Sequence, residues 1–242
     1  MICKSNRTPR YYIFTGSCRG EYHRKLGLAN QDCVKYFVSK KGIFLGIADG
    51  LGSCKKSHIG ARRILETGVD LLKGFADKGE KFSAEMLTEA LINRWENIYP
   101  PEVLKEYSTT LKEVFVVGEQ LIALSCGDGL LLIYDGTNII RLGQREENRF
   151  INETSCFSPN MQKSDVQRIQ CQCPNRFIVF MCTDGVSAAL DEKKECDLIK
   201  NLFEQWRSSS LQEDISELIM EISKYNFDDK TIGVGYYDFT ER

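Results

Sequence analysis

Apolar positions along this chain switch between two spacings. Residues 11–17 (YYIFTGS), 32–42 (DCVKYFVSKKG) and 43–50 (IFLGIADG) are rich in β-branched and aromatic residues. They are broken by Gly and Lys-Lys, which predicts strands. From His58 to about Phe75 the spacing becomes helical, with Ile64, Leu65, Val69, Leu71 and Leu72 on one face and Ser57 placed to cap the helix. A second helix is predicted from Ser83 to about Ile98, stopped by Pro100-Pro101. Strands resume at STTLKEVFVVGEQLIALSCGDG (108–129), followed by a hairpin over LLLIYDGTNIIRL (130–142) and a strand at RFIVFMCTDG (176–185). Helices near 191–206 and 210–224 come next, the second carrying Ile215, Leu218, Ile219 and Ile222, and KTIGVGYYDF closes the chain as a strand.

The order is strands, helix pair, strands, helix pair, last strand. It predicts an α+β fold rather than strict βαβ alternation. Each helix pair needs a sheet face to bury against, so the expected architecture is a four-layer αββα sandwich, two antiparallel β-sheets flanked by helix pairs. A chain of 242 residues with 42% hydrophobic content, only five prolines and no low-complexity linker is expected to form a single domain over 1–242.

Composition narrows the function classes. A net charge of −2 and a pI near 5.9 give no reason to expect nucleic acid or an anionic membrane as partner. No apolar run reaches the roughly 18 residues of a membrane span, and the start, MICKSNRTPRYYIF, lacks the apolar stretch of a signal peptide. The ten cysteines show no C-x-x-C, only Cys171-x-Cys173, and there are two histidines, His23 and His58. Several cysteines (Cys126, Cys182) sit inside apolar strands, where a reduced thiol packs as a small hydrophobe. The expectation is a soluble, cytoplasmic monomer with reduced thiols.

The chemistry lies in aspartates at strand ends. Asp49-Gly50, Asp128-Gly129 and Asp184-Gly185 each finish a strongly apolar run, although aspartate is a poor strand former and costly to bury unpaired. One isolated Asp-Gly is by default a turn, as expected of Asp135-Gly136 between LLLIY and TNIIRL. The case for the other three is joint: each ends an apolar run, and the residues after Gly50 and after Gly185 lead towards helices, not straight into a returning strand. Asp228-Asp229 precedes the last strand and Gln31-Asp32 opens an early one. Carboxylates gathered at one sheet edge repel one another unless a cation is present, and oxygen ligands with almost no histidine select hard ions, Mg²⁺ or Mn²⁺.

NQD, IADGLGS followed by IGAR, STT, CGDG, CTDGV and DDKT occur in the order seen in metal-dependent protein phosphatases of the type 2C (PPM) family. The resemblance covers about residues 12–238 and is greatest to the compact bacterial branch, which NRFINETSCF (148–157) also resembles. It implies the layered fold expected above. It also implies hydrolysis of phosphoserine or phosphothreonine in a phosphorylated protein substrate, by water at a binuclear Mn²⁺ or Mg²⁺ centre with a third, weaker ion. By the same resemblance Asp49 bridges the two ions, the Gly50 carbonyl binds the second, and Asp184 and Asp228 bind the first. Asp32 belongs to the metal site, holding coordinated waters or lying just behind the ligands, Asp128 helps bind the third ion, and Asp229 takes a supporting role where the family often has Asn.

The chain departs from the family in two places. Leu51 stands where many members have a histidine, and Gly27 stands where a phosphate-binding arginine is usual. Arg19, Arg24 or His23 could substitute for that arginine, although a solvated loop is the default for each; His23 has the best claim and is taken as a catalytic candidate. Lys55, Lys56, Arg62 and Arg63 read as a solvated helix face. Two rival readings are a non-catalytic pseudophosphatase on the same fold, acting as a binding or sensor module, and a cysteine phosphatase using Cys18-x5-Arg24. The second has Ser17 and Lys25 where that chemistry expects His and Ser or Thr.

Overall fold

The computed structural model describes residues 1–78, 83–143, 155–206 and 211–240. Its contacts divide the chain into two compact units, one built from 1–30, 129–141 and 174–242, the other from 31–128 and 142–173. The chain passes repeatedly from one to the other, so neither is a contiguous stretch of sequence.

The first unit is a six-stranded antiparallel sheet in the order β1-β2-β11-β10-β7-β8. Its strands are β1 (Ile2–Arg7), β2 (Tyr11–Cys18), β7 (Leu130–Tyr134), β8 (Ile139–Leu142), β10 (Arg176–Cys182) and β11 (Lys230–Asp238). Helices α6 (Glu192–Gln205) and α7 (Leu211–Ile222) pack on it through Ile199, Leu202, Phe203, Ile215 and Ile219. The rings of Trp206 and Tyr236 stack at 3.9 Å. Asp135 forms the β7–β8 turn as expected: its carboxylate accepts the Thr137 and Asn138 amides at 2.8 and 2.7 Å, and Gly136 takes φ +93°.

The second unit is a five-stranded antiparallel sheet in the order β3-β4-β5-β6-β9, with β3 (Asp32–Ser39), β4 (Gly42–Asp49), β5 (Leu111–Val117), β6 (Gln120–Cys126) and β9 (Gln167–Gln172). Helices α2 (Ser57–Lys78) and α3 (Ala84–Glu96) cover it. Ile64, Leu65, Leu72, Leu87, Leu91 and Trp95 meet Phe44, Phe115, Ile122 and Leu124 of the strands. Ser83 caps α3, accepting the Met86 amide at 3.2 Å.

Several elements depart from the sequence reading. Strands β1 (ICKSNR) and β9 (QRIQCQ) went unpredicted because both are polar edge strands, held by backbone pairing to one neighbour. Pro100-Pro101 ends α3 but also starts a short helix, α4 (Pro101–Leu104), as proline at the first helical position allows. Ser57 does not cap α2. It is the helix's first residue, buried, with no hydrogen-bond partner for its hydroxyl. The chain enters the helix through a turn in which the Ser57 amide donates to the Cys54 carbonyl at 3.3 Å.

Glu113 on β5 is fully buried, and neither carboxyl oxygen has a hydrogen-bond partner. It lies against Phe44 and Gly46 of β4 and Gly68 of α2, where a Cβ would sit 2.3 Å from Oε1, so the carboxyl fills the space a larger residue would take. Burial alone pushes this carboxyl well above its ordinary value of 4.5. The folded chain therefore holds a proton that the unfolded chain releases near 4.5. The associated stability is complete below that pH and is lost as pH rises through the folded value. Glu113→Gln cannot ionise, so in urea unfolding its stability relative to wild type is expected to improve from pH 5 to pH 8. A difference independent of pH would mean that Glu113 is charged in the fold.

Candidate metal centre

Antiparallel pairing carries the predicted acidic residues to one edge of each sheet. In the first unit β10 ends where β11 begins, with Cys182 opposite Ile232, and β2 ends beside the same point, with Cys18 opposite Lys230. Asp184 follows β10 and opens a short helix, α5 (Asp184–Ser187), Asp228 and Asp229 precede β11, and Gly20 to His23 follow β2. The Thr183 amide donates to the Thr231 carbonyl (3.1 Å) and the Thr231 amide to Thr183 Oγ1 (3.0 Å), which fixes the two connections together. Gly185 is required here: a Cβ on it would lie 2.0 Å from the Asp229 carbonyl oxygen.

His23 lies on a short helix, α1 (Glu21–Lys25), and is 6% exposed, not in a solvated loop. Its Nδ1 meets Asp229 Oδ2 at 2.8 Å, while Asp229 Oδ1 accepts the Gly20 amide at 2.6 Å. Asp229 thus ties α1 to the start of β11. Ligand atoms of His23, Asp228 and Asp229 lie within 4.8 Å of one another. Arg19 and Arg24 are exposed, and Gly27 is in an exposed turn at φ +69°. The Gly20 amide that a Cys18 phosphate loop would use is already held by the Asp229 carboxylate, whose charge would repel a phosphate.

Asp184 Oδ1 is buried and has no hydrogen-bond partner. Burial pushes the Asp228 carboxyl upward; the Asp229 amide opposes this, and the charges of Asp184 and Asp229 add to the rise. Asp228 itself is exposed, whereas Asp184 Oδ1 is buried; carboxylates crowded in this way fit a hard divalent cation, which would satisfy the orphan oxygen and offset the repulsion.

In the second unit Asp32 and Asp49 are directly opposite on β3 and β4. Side chains so paired share one face of the sheet, and like charges there are destabilising without a counter-ion. The backbone of Asp49 is clamped by the STT segment. Its carbonyl accepts the Thr110 amide at 2.7 Å and the Thr109 hydroxyl at 2.8 Å, and its amide donates to Thr110 Oγ1 at 3.0 Å. Gly50 donates its amide to the Gln31 carbonyl (3.2 Å) and sits against Ser57, where a Cβ would come within 2.6 Å of backbone carbon. Leu51 donates to the Ser108 carbonyl at 3.0 Å. Asp128 lies beyond the end of β6, and its loop is held by Lys112. That side chain is 1% exposed and its Nζ donates to the carbonyls of Gly127 (3.0 Å) and Asp128 (2.5 Å).

The sequence reading missed this clamp and its counterpart in the first unit. Lys230 is 2% exposed and its Nζ donates to the Asp228 carbonyl at 2.5 Å. The available signal was a lysine at the start of each strand next to an acidic or Asp-Gly segment, Lys112 in TLKEV and Lys230 in DDKTIGV.

A sequence profile described as protein phosphatase 2C matches residues 19–220. The chain belongs to the protein phosphatase 2C family. No curated protein sequence matches it significantly. Among solved structures, it is similar to the catalytic domain of the serine/threonine protein phosphatase PstP in complex with two manganese ions. That likeness has a TM-score of 0.62 and 16% identity, over 95% of this chain and 99% of that one. It is also similar to the serine/threonine phosphatase of S. agalactiae (TM-score 0.66, 16% identity, 94% and 100% covered) and to RsbX in complex with magnesium (0.59, 13%, 98% and 100%). These likenesses show the expected α+β sandwich fold with its two antiparallel sheets. Among the described residues no helix is long and apolar enough to cross a membrane, and all ten cysteines are free thiols, with Cys126 and Cys182 buried. The NRFINETSCF resemblance falls mostly on residues 148–154, outside those described.

Proposed function

We propose that this family member is an active, metal-dependent serine/threonine protein phosphatase of the cytoplasm, acting as a monomer on a phosphorylated protein. In this reading Asp49, the Gly50 carbonyl, Asp184 and Asp228 hold two Mn²⁺ or Mg²⁺ ions, Asp32 supports them, and Asp128 contributes to a third, weaker site. The observation that carries it is the buried, unpartnered Asp184 Oδ1 beside an Asp228 carboxyl pushed upward by burial and by the Asp184 charge. Bound there, the ions would neutralise phosphoryl oxygens and make water nucleophilic near neutral pH.

The chain's own residues orient and hold. Thr109 and Thr110 fix the backbone of Asp49, and Lys112 and Lys230 fix the carbonyls of Asp128 and Asp228. Asp229 engages His23 through Nδ1, which leaves Nε2 as the ring nitrogen able to meet a phosphoryl oxygen where the family's arginine is missing.

Metal binding tests the donor set without relying on turnover. Millimolar Mn²⁺ is expected to raise the melting temperature of the wild type, and Asp49→Asn to abolish most of the rise. An unchanged wild-type melting curve would contradict the proposed cation sites. A pseudophosphatase that retains the cation sites would show the same stabilisation, yet fail to turn over para-nitrophenyl phosphate.

A further inference from the structure

Ten large apolar side chains are exposed among the described residues, and five of them fall in two short segments of the first unit. These are Tyr22 (60% exposed), Leu26 (56%) and Leu28 (44%) in and after α1, and Tyr225 (79%) and Phe227 (58%) before β11. The segments touch. The Tyr22 amide donates to the Phe227 carbonyl at 3.1 Å, and a Cβ on Gly20 would lie 2.3 Å from the Asp228 carbonyl carbon. The Tyr22 ring lies 5.7 Å, centroid to centroid, from His23. Tyr22 and Phe227 are therefore the chain neighbours of His23 and Asp228. Of the charges beside them, Lys25 pairs with Glu21 at 2.7 Å and Lys224 with Glu221 at 2.5 Å, while Arg19 and Arg24 are exposed.

We infer that these five side chains form a docking rim for aliphatic or aromatic residues flanking the phosphorylated residue of a protein substrate. The inference rests on the phosphatase reading above. A phosphoryl group that reaches His23 and Asp228 brings whatever it is attached to across Tyr22 and Phe227. A small phosphoester would leave those rings in water. A polypeptide advances about 3.3 Å per residue, so side chains one to three positions from the phosphorylated residue fall within reach of the rim. Around the rim Arg19, Arg24, Lys25 and Lys224 balance Glu21, Glu221, Asp228 and Asp229, which leaves little net charge to select acidic or basic flanks, and exposed aromatic rings gain most from covering apolar partners.

The test uses the full chain with Mn²⁺ and two phosphothreonine peptides of equal charge, one with Leu and Phe at the flanking positions, the other with Ser and Gln. The expected ratio of kcat/KM is at least about tenfold in favour of the apolar peptide, falling to about one in the Tyr22→Ser/Phe227→Ser double variant. Tyr225→Ser, further along the chain from the carboxylates, should reduce the ratio by a smaller factor. Equal rates for the two peptides in the wild type would overturn the rim. So would a wild-type dimer that the double variant dissociates in sedimentation, since the rim would then be a contact between copies. Para-nitrophenyl phosphate separates the two readings. If the wild type does not hydrolyse it, the phosphatase reading fails, and the rim is judged by fluorescence anisotropy of the same peptides. Tighter binding of the apolar peptide, lost in the double variant, supports the rim; equal binding overturns it.

Discussion

Asp49→Asn is expected to lower kcat/KM on a phosphothreonine peptide by at least about a thousandfold, the equivalent of roughly 4 kcal/mol of transition-state stabilisation. The substitution keeps the shape of the side chain and the backbone bonds to Thr109 and Thr110, while it removes the charge and replaces one acceptor oxygen by an NH2 donor. It also relieves the juxtaposition with Asp32 on the neighbouring strand, so the metal-free variant should unfold at no lower urea concentration than the wild type. Loss of activity would then not be loss of fold. Cys18→Ser is the control, since Cys18 is a half-buried residue at the end of β2, and the variant should keep most of its activity. A dead Cys18→Ser beside an active Asp49→Asn would reverse the assignment of the chemistry.

Lys112→Met is expected to destabilise the chain by about 2–3 kcal/mol, the cost of leaving buried carbonyl acceptors without a donor. The ammonium is buried against the carbonyls of Gly127 and Asp128, and methionine fills the volume without donating to either. Urea unfolding measures the loss directly. A change below about 1 kcal/mol, typical of a surface charge, would mean that the Asp128 loop does not depend on the lysine.

The central architecture was legible because the inner strands carry long apolar runs. β4, β5, β6, β10 and β11 are each dominated by apolar residues, and the spacing of Ile64, Leu65, Val69 and Leu72 marked α2. Strands β1 and β9 were not legible, since an exposed edge strand is specified by its partner's backbone and leaves little hydrophobic signal. The acidic residues were found as a joint pattern, and antiparallel register explains their convergence: a strand's end and its neighbour's start share one sheet edge. What holds them there was hidden. Lys112 and Lys230 act through carbonyls of residues distant in the sequence or folded back upon them, and the His23–Asp229 contact joins positions 206 apart. Glu113 was equally unreadable, because nothing in TLKEVFVV shows that Gly68 leaves room for its carboxyl.

The most direct test of the central claim is the rate of phosphothreonine-peptide hydrolysis by the metal-stripped protein as Mn²⁺ is titrated back. The account predicts no turnover in EDTA and a saturable rise in rate as the ion is added, reversed by fresh chelator. Equal hydrolysis in EDTA and in Mn²⁺, or no hydrolysis at any Mn²⁺ concentration, would contradict it.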